Sequence, residues 1–112
     1  MNATLTEQLY AEFPYLYRGH LKPKSESSMH WGFECGDGWF FLLQKLSKDL
    51  SSYLAQNPDL NLEVTQVKSK FGILRYHVRG GDLETKRIIA HACQRARSIC
   101  ELTGNSISAH QL

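Results

Sequence analysis

Long apolar runs are missing from this 112-residue chain. The longest uninterrupted one is Trp39 to Leu43. A membrane span needs about 20 apolar residues, so no membrane partner is expected. No charged stretch followed by an apolar one opens the chain, so no secretory leader is expected either. Cysteine is scarce: Cys35, Cys93 and Cys100 are the only three. A low, odd count is not a disulfide framework, and it fits the reducing cytoplasm. Neither sign of charge dominates, with 13 Lys and Arg against 11 Asp and Glu. There is no internal repeat and no low-complexity tract. The chain also lacks the phosphate-cradling G-x-x-x-x-G-K-[ST], the dinucleotide G-x-G-x-x-G, the zinc-binding H-E-x-x-H and the nucleophile elbow G-x-S-x-G. These absences point away from an enzyme, and no cofactor is expected.

What is present suits one globular α+β domain over residues 1–112. Hydrophobic residues make up 42% and charged residues 21%, ordinary values for a folded chain. Thr4-Leu5-Thr6-Glu7 reads as a capping box opening a helix that ends near Phe13, because Pro14 disfavours helical geometry at the residue before it. Residues 18–30 are polar and hold Pro23, two lysines and three serines; they read as a flexible loop. Asp37 is placed to cap a second helix that Pro58 stops. Its apolar stripe is Trp39, Leu42, Leu43, Leu46, Leu50, Tyr53 and Leu54, with Gln44, Lys45, Ser47, Lys48, Ser51 and Ser52 on the other side. Leu60, Leu62 and Val64, then Leu74, Tyr76 and Val78, alternate as a hairpin does, with a loop of about five residues around Lys68 to Gly72. Asp82 is a natural N-cap for a third helix, with Ile89, Ala92, Ala96, Ile99 and Cys100 as its buried stripe and Gly104 as its C-cap. The expected order is α-α-β-β-α, with about three helices on a small antiparallel sheet.

Net charge is only +2, yet it is unevenly placed. Residues 61–112 carry eight Lys and Arg against four Asp and Glu. Arg87, His91 and Arg95 recur at i, i+4 and i+8, one stripe on the third helix, with Lys86 and Arg97 beside it. Lys68, Lys70, Arg75 and Arg79 decorate the hairpin. Lys68, Lys70, Arg75, Arg87, His91 and Arg95 are therefore the candidate binding residues. Shared on one side, they would take phosphates or an acidic protein. Tyr15 and Tyr17 are candidate exposed aromatics.

The densest cluster is Trp31-Gly32-Phe33-Glu34-Cys35-Gly36-Asp37-Gly38-Trp39. Its structural reading has glycines at positive φ, tryptophans in the core and Asp37 as a cap. Its functional reading makes Glu34 and Asp37 a carboxylate pair for a metal or for acid–base work, or pairs Cys35 with His30 or His77. The structural reading is preferred. Cys93 and Cys100, seven residues apart on one helix, lie about 10 Å apart at 1.5 Å per residue, too far for a disulfide.

That cluster, followed by Leu42-Leu43, resembles a family of small proteins from bacteria and their phages. A second stretch, Gln66-Val67-Lys68-Ser69-Lys70-Phe71-Gly72-Ile73-Leu74-Arg75-Tyr76, is similar to the family's Q-x-K-E-K-F-G-x-L-R-F. The likeness runs over roughly residues 14–104. The family carries no established activity, so the resemblance implies a context and not a mechanism. Relatives continue with a C-x-x-C-G step and a late Cys and His, like a zinc knuckle. Here Thr103 stands where the second cysteine would be, leaving Cys100, His110 and Cys93 as ligands. A structural zinc site needs four, so no zinc is expected. Small phage proteins of this kind often inhibit host machinery, including defence systems such as CRISPR. The resemblance thus implies a non-enzymatic protein that occludes a host protein partner. The alternative is a small nucleic-acid-binding protein using the basic face.

Overall fold

A computed structural model describes residues 1–107. It shows three helices and a three-stranded mixed sheet, an α+β fold. Helix α1 spans Ala3–Glu12, α2 spans Phe40–Gln56 and α3 spans Leu83–Ala96. Strands β1 (Phe33–Glu34), β2 (Leu62–Lys70) and β3 (Ile73–Gly80) lie in that order. β1 pairs parallel with β2, and β2 antiparallel with β3. No helix of the described residues is long and apolar enough to cross a membrane.

The α2 stripe faces the core: Trp39, Leu42, Leu43, Leu46, Leu50 and Leu54 are all buried. Ser47, placed on the polar side by pattern alone, is also fully buried. Its hydroxyl donates to the Leu43 carbonyl at 2.6 Å and meets the Tyr17 hydroxyl at 2.6 Å. A buried hydroxyl is tolerated where it is bonded, and Ser47 is. Tyr17 is therefore core, not an exposed aromatic, whereas Tyr15 is 53% exposed.

The caps differ from expectation at two helices. Asn2, not Thr4, caps α1, its side chain accepting from the Leu5 N–H at 2.8 Å. Asp37 opens a short 3-10 turn (Asp37–Trp39), and α2 begins after it without a side-chain cap. The third cap is as read: Asp82 accepts from the Thr85 N–H at 3.0 Å, and the Thr85 hydroxyl lies 2.8 Å from the Asp82 N–H. Helix α3 stops at Ala96, so Ile99 and Cys100 lie beyond it. Gly104, at φ +79°, closes a later turn by donating to the Cys100 carbonyl.

The hairpin is longer and tighter than a five-residue loop. Lys68, Ser69 and Lys70 belong to β2, and only Phe71 and Gly72 make the turn, at φ +55° and +78°. Positive φ at both positions matches the right-handed strand twist. A bulge between Val64 and Gln66 re-phases β2, so Leu62, Val64 and Val67 all reach the core. Segment 18–30 contains two 3-10 turns, Arg18–Leu21 and Ser28–Trp31, and buries Gly19, Ser27 and Met29. It lies against β2: Lys22 Nζ donates to the Glu63 carboxylate at 2.6 Å, and Ser27 Oγ donates to the Thr65 carbonyl at 3.4 Å, while just before it the Leu16 carbonyl accepts from the Val64 N–H at 3.1 Å.

Candidate functional site

Alternation along the strands gives the sheet two faces. Phe33, Val67, Leu74 and Tyr76 are buried on one. The other carries Glu34, Lys68 and Arg75 in one row, since Glu34 is registered with Lys68 and Lys68 with Arg75. Gln66 with His77, and Lys70 with Ile73, make the neighbouring rows.

The helical stripe lies elsewhere. Arg87, His91 and Arg95 line a groove of about 560 Å³ between α2 and α3, with Leu42, Leu46, Ile88 and Ala92 also lining it. Lys45 and Asp49 of α2 and Glu84 of α3 complete its charged rim. Lys45 pairs with Asp49 at 3.0 Å and Arg87 with Glu84 at 3.5 Å. Arg95 makes no ion pair among the described residues. The six candidate binding residues thus fall into two groups. Arg87, His91 and Arg95 meet over the groove, while Lys68, Lys70 and Arg75 share the hairpin face.

The glycine-rich cluster is held by tertiary contacts. Asp37 is engaged by Asn2, whose backbone N–H and side-chain amide donate to its two oxygens at 2.7 and 3.0 Å. Glu34 is exposed on the sheet. Gly36 and Gly38 do not need positive φ; they make room for the turn at residues 100–104. A Cβ on Gly36 would overlap the Glu101 carbonyl, and one on Gly38 would overlap the Cys100 carbonyl and the Gly104 nitrogen. The same turn is held by Gly38 N–H to the Glu101 carbonyl at 2.7 Å and by Trp39 Nε1 to the Ile99 carbonyl at 2.9 Å. Trp39 is core, but Trp31 is 60% exposed, with the Lys24 ammonium 4.5 Å from its ring centroid.

The thiols divide by environment. Burial pushes Cys35 up to about 12, so it stays protonated at neutral pH. That is the reverse of an activated nucleophile. Burial also raises Cys93. Cys100 is lowered by the Thr103 hydroxyl that bonds it. Among the described residues, no three His, Cys, Asp or Glu side chains cluster to hold a metal; His110 lies outside them. The other histidines sit apart. His20 stacks on Tyr10 at 4.0 Å, His30 meets Trp31 edge-on, His77 is on the sheet and His91 is in the groove.

One charged feature carried no signal in the sequence. Glu63 is 4% exposed. Its carboxylate takes Lys22 Nζ at 2.6 Å, with Arg18 and Arg79 at 3.9 and 4.0 Å. Four separated residues converge there, joining the 3-10 segment to β2 and β3. Comparison with known protein families, with curated proteins and with solved structures finds no match to this chain.

Proposed function

We propose that this chain is a non-catalytic protein that binds and covers a partner protein through the α2–α3 groove. The observation that carries this reading is the groove's composition. The apolar side chains Leu42, Leu46 and Ile88 line it together with Arg87, His91 and Arg95. Apolar contact supplies affinity, and the rim, where Arg95 stands free of the Lys45–Asp49 and Arg87–Glu84 pairs, supplies steering and choice of partner. The partner segment that fits is acidic at its edges and apolar at its centre. The sharper form, an inhibitor of a host defence system such as CRISPR, is supported by the resemblance to phage proteins alone.

A tagged pull-down from bacterial lysate, run with and without nuclease and repeated with Arg87→Glu/Arg95→Glu, tests the reading. One dominant partner that survives nuclease and disappears with the double variant is the expected result. A partner retained by the double variant removes the groove from the proposal. Unchanged phage and plasmid survival on expression of the chain rejects the defence-inhibitor form.

A second reading has its own observation. Lys24 over the exposed Trp31 also lines a polar hollow with Gln66 and His77 of the open sheet face. An aromatic ring beside cations is a stacking platform for single-stranded nucleic acid. Under that reading, partners vanish with nuclease and affinity falls steeply with salt.

A further inference from the structure

The hairpin tip breaks a local rule. Phe71 sits at φ +55°, in the left-handed region that bulky residues rarely occupy. Asn or Asp before the glycine is the usual choice in such a turn. Nothing in the fold compensates: Phe71 is 94% exposed, and a Cβ on its neighbour Gly72 would meet nothing within 4 Å. An aromatic ring is thus held in a disfavoured conformation and presented to solvent.

Its surroundings are organised. Lys70 pairs with Ile73 and Lys68 with Arg75, so all four stand on the same hairpin face, directly behind the turn. Ile73 is 44% exposed. The Ser69 hydroxyl bonds the Glu101 carboxylate at 3.0 Å, which brings the turn bearing Leu102, 76% exposed, to this end of the hairpin. An apolar point made of Phe71 and Ile73 is backed by three cations, Lys68, Lys70 and Arg75, with the Glu34 carboxylate beside Lys68 as the one anion of that row.

We propose that the Lys68–Arg75 hairpin tip is a second docking element, and that it takes an acidic protein segment carrying bulky apolar side chains. Phe71 is the anchor, and Lys68, Lys70 and Arg75 pair with carboxylates around it. Central aromatic anchors ringed by polar contacts dominate protein interfaces. An exposed aliphatic residue, Ile73, two positions from Phe71 favours a protein over stacked bases. This inference rests on the chain being a protein-binding one, but not on the groove.

The test pans a random-peptide library against the full chain, then measures the enriched peptides on Phe71→Asn, Lys68→Glu/Lys70→Glu and Arg87→Glu/Arg95→Glu. Asn accepts the left-handed turn, so Phe71→Asn is expected to keep or raise Tm. The expected peptides are rich in Asp, Glu and bulky apolar residues. Their affinity should fall by about thirtyfold or more with Phe71→Asn, fall with the lysine reversal, and stay unchanged with the groove variant. No enrichment, or peptides indifferent to Phe71→Asn, overturns the proposal. So does Phe71-dependent binding to a single-stranded oligonucleotide or to phosphatidylglycerol vesicles in place of peptides. Peptides that depend on Arg87 and Arg95 but not on Phe71 leave the groove reading standing and remove this one.

Discussion

The Tyr17 and Tyr76 hydroxyl oxygens lie 2.8 Å apart in the core. Ser47 gives its proton to the Leu43 carbonyl, so it accepts from Tyr17, and Tyr17 in turn accepts from Tyr76. Each hydroxyl has one proton to give, which fixes the direction of the chain. Tyr17→Phe removes the middle link, leaving one donor and one acceptor unpaired. It should cost about 2 kcal/mol. Tyr76→Phe removes only an end donor and should cost about half as much. Urea denaturation of the two variants checks the order. Equal losses would mean that the chain does not run this way.

Glu63 should be more sensitive than an ordinary strand residue. Lys22, Arg18 and Arg79 all face its carboxylate. Glu63→Gln leaves these cations without their counter-charge, though Lys22 can still reach water. A loss of about 2 kcal/mol is expected. Raised protease sensitivity confined to residues 18–30 should accompany it. Limited proteolysis followed by mass spectrometry reads both outcomes.

Two glycines should respond to alanine for different reasons. Gly38→Ala puts a methyl group into the backbone of the 100–104 turn. It should cost about 2 kcal/mol or more through forced displacement, with a shift in Trp39 fluorescence as Ile99 moves away from the indole N–H. Gly72→Ala meets no neighbour but keeps φ at +78°. Its cost should be about 1 kcal/mol, from backbone strain alone. Thermal melts with fluorescence detection separate the two.

Thiol chemistry should follow environment. At mildly alkaline pH an aromatic disulfide reagent should modify Cys100 first and Cys93 more slowly. Cys35 should react only on unfolding. Stability should also fall in alkali. Burial raises Cys35 from 9.0 to about 12 and Tyr17 from 10.0 to about 12. Each group therefore ionises at lower pH in the unfolded chain than in the folded one. Their contribution is whole below pH 9 and is lost as pH climbs towards 12. Cys35→Ala should flatten the alkaline arm of the stability profile, measured by urea midpoint against pH.

Much of the fold was legible because its signals are local. The α2 stripe, the Asp82 cap and the paired alternation of β2 and β3 each lie within a few residues. β1 was not legible: two residues, Phe33 and Glu34, become a strand only by pairing with Val67 and Lys68 far along the chain. The two-residue turn was not legible either, because Phe71 stands where Asn is usual. Ser47 falls on the polar side of its helix by pattern and Glu63 gives no signal at all, since nothing nearby in sequence reveals the partners that bury them.

The candidate sites divide in the same way. By itself, the sequence determined the α+β class, the third helix's cap, and the spacing that aligns Arg87, His91 and Arg95. Those follow from helical and strand periods, which any chain with this pattern obeys. Only the tertiary structure decided that these three line a groove against α2 while Lys68, Lys70 and Arg75 stand on the hairpin. It alone decided that the glycine-rich cluster is a seat for the 100–104 turn. The physical reason is that residue periodicity fixes which side chains share an element's face. What that face meets depends on contacts between residues distant in sequence.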